Sequence, residues 1–97
     1  RLVKIHWSQR SISDLQALHD YIAQDSQLYA ERFVAKLVRA TEPLADFPEL
    51  GRRVPEEPDQ PNVQELLVQT YRIVYRVEAE RILIATVLHG SRDLERL

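Results

Sequence analysis

Three features of the sequence predict an α+β fold, a helical hairpin packed on a mainly antiparallel four-stranded sheet in the order β-α-α-β-β-β. Apolar residues recur with a helical period from Ile12 to Phe47, and with period two from Val63 to Leu88. A stretch holding Pro55, Pro58 and Pro61 separates the two regimes. The 97 residues, 44% of them hydrophobic, suit a single domain over 1–97 with one core.

The first element is a strand, Leu2 to Trp7, with Val3, Ile5 and Trp7 on one face. Ser8 to Ser11 carries helix-start signals, and Ser11 with Asp14 has capping-box spacing. Ile12, Leu15, Leu18 and Ile22 then form a stripe running to about Ala23. Asp25-Ser26 interrupts it and offers a new N-cap. Ala30, Phe33, Val34, Leu37, Val38 and Thr41 define a second helix. Pro43 lacks an N–H and crowds the preceding turn, so it predicts a break or restart, with Leu44 and Phe47 still directed to the core. Arg52 to Asn62 reads as a surface loop. Val63–Gln69, Tyr71–Glu78 and Arg81–Leu88 follow as strands with short joints, an antiparallel meander.

Composition narrows the functional classes. Thirteen Lys+Arg against fifteen Asp+Glu leave a formal charge of −2, which disfavours bulk electrostatic gripping of nucleic acid. The absence of cysteine excludes disulfides, thiolate metal sites and cysteine nucleophiles, and fits a reducing compartment. No apolar run is long enough to span a membrane and no signal-peptide core is visible, so the expected location is cytoplasmic with no membrane partner. His6 and His19 share no metal-ligand spacing with each other or with carboxylates, and no metal or cofactor is expected.

Strand alternation marks the candidate functional face. Tyr71, Ile73, Tyr75 and Val77 lie on one side, suited to burial under the helices; Arg72, Val74 and Arg76 lie on the other. A guanidinium there suits phosphate or carboxylate recognition, because its planar fork donates at two points and keeps its charge. Pairing with Glu65, Glu78 or Glu80 across the sheet is the equally weighted alternative. Arg52-Arg53 either extends a basic rim toward Arg72 or faces the acids Glu56, Glu57 and Asp59. His89 either titrates near neutrality as an acid or base, or simply ends its strand in a backbone hydrogen bond. Arg92 and Arg96 alternate with Asp93 and Glu95 in what reads as a solvated helical turn.

Several stretches, in order, resemble the RelE/ParE superfamily of bacterial toxins from type II toxin–antitoxin modules. They are Trp7-Ser8 leading into Asp14-Leu15, then Tyr21-Ile22, then Ala30 with Phe33. Leu44, Pro48 and Gly51-Arg52 follow, and then Glu65-Leu66. The most specific are Tyr71-Arg72-Ile73-Val74-Tyr75-Arg76 and His89-Gly90 with Arg92. The resemblance implies a protein that arrests growth when free and is neutralised by a cognate antitoxin. It also implies one of two activities. RelE-like members cleave mRNA in the ribosomal A site with basic side chains and often a C-terminal Tyr or His; ParE-like members poison DNA gyrase without that nuclease set.

Arg72 matches the strand arginine of the nucleases and Arg92 lies near a second, so Arg72, His89 and Arg92 are the catalytic candidates of a RelE-like chain. Arg52, Arg53, Arg72, Arg76 and Arg92 are the candidates for binding the target or the antitoxin. No tyrosine follows Tyr75, and Lys4 and Lys36 are the only lysines. These departures favour a ParE-like toxin with gyrase as partner. A RelE-like nuclease acting on ribosome and mRNA, and a non-toxic member that only binds its antitoxin, are the alternatives.

Overall fold

A computed structural model describes residues 3–95; Leu2 and Arg96 lie outside the described residues. The chain forms β1 (Lys4–Trp7), α1 (Gln9–Ala23), α2 (Gln27–Thr41), a 3₁₀ turn (Glu42–Ala45), β2 (Arg52–Arg53), β3 (Val63–Val68), β4 (Tyr71–Val77) and β5 (Arg81–His89). The predicted class and layer order hold. The sheet, however, has five strands rather than four, in the order β1-β5-β4-β3-β2. The extra strand is Arg52–Arg53, placed in a loop by the sequence reading and paired antiparallel with Gln64 and Glu65. Two residues are too few to show a period. β1 is the one parallel member, docked against β5 with Lys4 opposite Arg81 and Trp7 opposite Ile84.

Local chemistry explains the helix ends. Ser8, rather than Ser11, caps α1: its hydroxyl accepts the Ser11 amide at 3.0 Å and donates to the Ala85 carbonyl at 2.9 Å. Asp14 is therefore not a capping-box partner. Its Oδ2 accepts the Thr86 hydroxyl at 2.5 Å and the Val87 amide at 2.9 Å. Past Trp7, β5 has lost its strand neighbour, and Asp14 supplies the missing acceptor. Ser26 caps α2 through the Tyr29 amide at 3.1 Å. Pro43 restarts the helix as the 3₁₀ turn; its missing amide falls in a first turn, where no intrahelical partner exists.

The helices cover one face of the sheet. Phe33, Leu37 and Leu44 pack with Ile73, Tyr75, Ile82, Ile84 and Val87, joined by Val3, Ile5, Trp7, Leu15, Leu18 and Ile22. A bulge permits this. Val74 pairs with Thr86 and Tyr75 with Ile84, so Ala85 has no partner on β4, and the alternation is reset to bring Ile82, Ile84 and Val87 onto one side. Phe47 is not part of that core: it is 63% exposed, because the 3₁₀ turn carries it off the helical face. The other face is half covered. Val54 from the proline-containing loop and Leu94 from the C-terminal tail bury against Val63 and Val74. Among the described residues, Arg92 to Glu95 form no helical turn but an irregular segment anchored by buried Leu94; Arg96 lies outside them. Among the described residues no helix is long and apolar enough to cross a membrane.

Candidate functional site

Arg72 leaves β4 on the face away from the helices, as alternation requires, but it is buried. Its Nε donates to Glu65 Oε1 at 2.7 Å. Nη1 donates to Glu56 Oε2 at 2.8 Å and to the Arg92 carbonyl at 2.9 Å, and Nη2 donates to Glu56 Oε1 at 2.6 Å. Four of the five guanidinium donors are thus committed inside the protein. Glu65, fully buried from solvent, also accepts Arg52 Nε at 2.8 Å. Two cations and two anions balance across this cluster.

The loop carboxylate is what seals it. Glu56 forms a fork-to-fork pair with Arg72 and also accepts the Leu94 amide at 2.8 Å, so one side chain clamps strand, loop and tail. The Arg72 hydrogen bonds lower the Glu56 pKa to about 2, with the Leu94 amide adding to the effect. The same contacts, Glu56 first and Glu65 next, hold Arg72 still more firmly protonated than a free guanidinium. A groove of about 510 Å³ lies beside the cluster, walled by Arg52, Glu56, Leu67, Thr70 and Tyr71.

The remaining candidates are dispersed. Arg92 contributes only its carbonyl; its side chain is exposed. Arg53 is exposed and donates to the Pro58 carbonyl at 2.7 Å. Arg76, half buried, lies further along β4 and has no part in the Arg72 cluster. His89 is exposed at the end of β5, edge-on to Tyr71 with ring centroids 5.2 Å apart. Its Nδ1 accepts the Ser91 amide at 3.1 Å and lies 2.7 Å from the Ser91 hydroxyl, so the proton of the neutral ring resides on Nε2. That is a local turn contact.

Of the two readings of the outward arginines, the structure shows pairing with Glu65 for Arg72 and not an open display of Arg72 beside Arg76. Arg72 is on the expected face but covered and neutralised, while Arg76 lies apart from it. Glu65 was legible as a pairing candidate. Glu56 was legible only as a nearby acid, since nothing local in the sequence shows where the proline-containing loop returns. A second missed pair is Tyr75 and Gly51: the buried phenol accepts the Gly51 amide at 2.9 Å and lies 2.9 Å from the Pro48 carbonyl and 2.8 Å from Gln64 Oε1. Burial raises the Tyr75 pKa.

The comparisons with known proteins agree with this architecture. A family model described as the ParE toxin of the type II toxin–antitoxin system ParDE matches residues 5–94. Toxin RelE2 of Caulobacter vibrioides is 34% identical over 92 residues, covering 94% of this chain and 99% of that protein. Among solved structures, a chromosomal ParDE toxin–antitoxin system of P. aeruginosa superposes with a TM-score of 0.75 at 22% identity, over 91% of this chain and 96% of that one. The toxin–antitoxin complex RelBE2 of Mycobacterium tuberculosis gives a TM-score of 0.67 at 19% identity, over 92% and 99% of the respective chains. At those identities the structural matches establish the shared fold. With the family match spanning nearly every described residue, the chain belongs to the ParE toxin family of type II toxin–antitoxin systems, within the RelE/ParE superfamily.

Proposed function

We propose that this toxin is held inactive by a cognate antitoxin in the cytoplasm and that, when free, it acts by binding DNA gyrase rather than by cutting mRNA. The observation that carries the reading is the committed state of Arg72. A nuclease of this fold needs that guanidinium free to stabilise a developing phosphorane, and here two carboxylates and a carbonyl occupy it. His89 is tied to a neighbouring serine, and only the backbone of Arg92 faces Arg72. A protein target asks for surface instead of reacting groups. Phe47, Leu50 and Leu67 are exposed at 63%, 53% and 53%, and Tyr21, Leu28 and Tyr29 at 71%, 56% and 53%, apolar side chains that a protein partner can cover.

The test is a supercoiling and cleavage-complex assay with purified gyrase. Inhibition or trapped cleavage at micromolar toxin, relieved by antitoxin, is the expected result; no effect removes gyrase as the target. The 34% identity to a relative named RelE2 keeps one competitor in view. Primer extension on translated mRNA after induction separates them: A-site cuts that vanish in Arg72→Ala would establish the nuclease instead.

A further inference from the structure

The outer face of the sheet divides into two halves, and the covered half shows how the other is built to be covered. Over Arg72, an acidic loop lays down Val54 as an apolar anchor and Glu56 as the carboxylate that meets the strand arginine. The half formed by β1, β5 and the far end of β4 also mixes cations with an apolar residue, and among the described residues no loop covers it. Val3, Ile5, Trp7, Ile82, Ile84, Tyr75 and Val77 face the helices, so alternation turns Lys4, His6, Arg76, Arg81 and Leu83 outward. Arg76, Leu83 and His6 stand in one row across three strands, and Arg81 faces Lys4 in the next. Lys4, His6 and Arg81 are exposed, and Arg76 and Leu83 are half buried.

The charge on this half is incompletely balanced. Glu78 takes Arg81 at 2.6 Å. Among the described residues no carboxylate is bonded to Lys4, His6 or Arg76. In a chain of net charge −2, the positive charges of Lys4 and Arg76 are gathered on one small face beside His6. Strand spacing sets its size: Arg76 and His6 lie about 10 Å apart across the sheet, and Lys4 and His6 about 7 Å apart along β1. That is room for two or three carboxylates around the apolar floor of Leu83. It is too small for a track of phosphates, and the acidic remainder of the chain repels a long polyanion.

We propose that this open half of the sheet binds an acidic, partly apolar extended segment of the cognate antitoxin, seated on Leu83 with its carboxylates on Arg76 and Lys4. The proposal rests on the antitoxin reading above and names a surface for it. It extends to the second half of the face the arrangement that Val54 and Glu56 already make on the first.

The experiment is calorimetric titration of the full chain with full-length cognate antitoxin across a salt series. For Lys4→Glu combined with Arg76→Glu, Kd should rise at least about tenfold at low salt, and its salt dependence should flatten. Lys36→Glu, on the exposed surface of α2, should stay within about threefold. Arg76→Gln, with folding verified by thermal melting, keeps the test valid if the double reversal does not fold, and should weaken binding in the same direction. A Kd for the folded variants within about twofold of wild type overturns the proposal, as does an equal loss in Lys36→Glu, which would reveal bulk charge. A labelled DNA duplex that the double variant releases while antitoxin affinity is unchanged would assign the face to nucleic acid and overturn it too. Failure of the wild-type chain to bind antitoxin at all would instead bring down the underlying reading, and this surface with it.

Discussion

Glu56 and Arg72 are joined at two points, Oε1 to Nη2 at 2.6 Å and Oε2 to Nη1 at 2.8 Å, although 16 residues separate them and one belongs to a loop. The pair fastens both the proline-containing loop and the C-terminal tail to the centre of the sheet. It also has a pH signature. The folded carboxyl titrates near 2, against an ordinary value of 4.5. A depressed carboxylate stabilises the fold above its unfolded pKa and loses that contribution as pH falls through its folded one. Glu56→Gln should therefore cost about 2 kcal/mol at pH 7, after discounting for its partial exposure. The gap from wild type should close between pH 4.5 and 2, as followed by urea denaturation across that range.

Arg72→Leu should be more damaging, by about 3–5 kcal/mol, because it leaves the fully buried Glu65 with only the exposed Arg52 and takes the partner from Glu56 as well. Adding Glu65→Leu should return part of that loss, since the Arg52 it leaves unpaired is exposed. A double-mutant cycle in urea measures both effects.

Tyr75→Phe removes the acceptor of the Gly51 amide and should cost about 1–2 kcal/mol. Gly51→Ala should be worse. A Cβ there would meet the Glu65 carbonyl at 2.5 Å and the Tyr75 hydroxyl at 2.6 Å, a collision with backbone as well as side chain. Thermal melting of the two variants ranks them.

Gln69, in the turn between β3 and β4, has φ of 53°, a left-handed conformation that side chains other than glycine adopt at a cost. Gln69→Gly should stabilise by about 0.5–1 kcal/mol, raising Tm by about 2–8 °C in a scanning calorimeter.

Legibility in the sequence followed the range of the interactions. Alternation from Tyr71 to Val77 assigned Arg72 and Tyr75 to opposite faces, and the helical stripes located Phe33 and Leu37 in the core, because each is a local period. The fate of Arg72 depended on Glu56, whose position is set by a loop with no period at all. Arg52–Arg53 was hidden because so short a strand is recognised by its neighbour, Gln64 with Glu65, and not by itself. Phe47 differs for the reverse reason: an apolar residue in helical phase reads as core, yet it faces solvent. The bulge at Ala85, which decides that Val87 and not Thr86 packs under the helices, has no sequence mark.

The parallel pairing of β1 with β5 sets a condition on when this sheet can close. Trp7 and Ile84 are neighbours in space but far apart along the chain, so β1 has no sheet partner until β5 has been made. On a translating ribosome the sheet stays unfinished until β5 has cleared the exit tunnel. Non-local pairing of this kind also closes slowly. A partner that recognises the closed sheet therefore has nothing to bind until β1 and β5 have met.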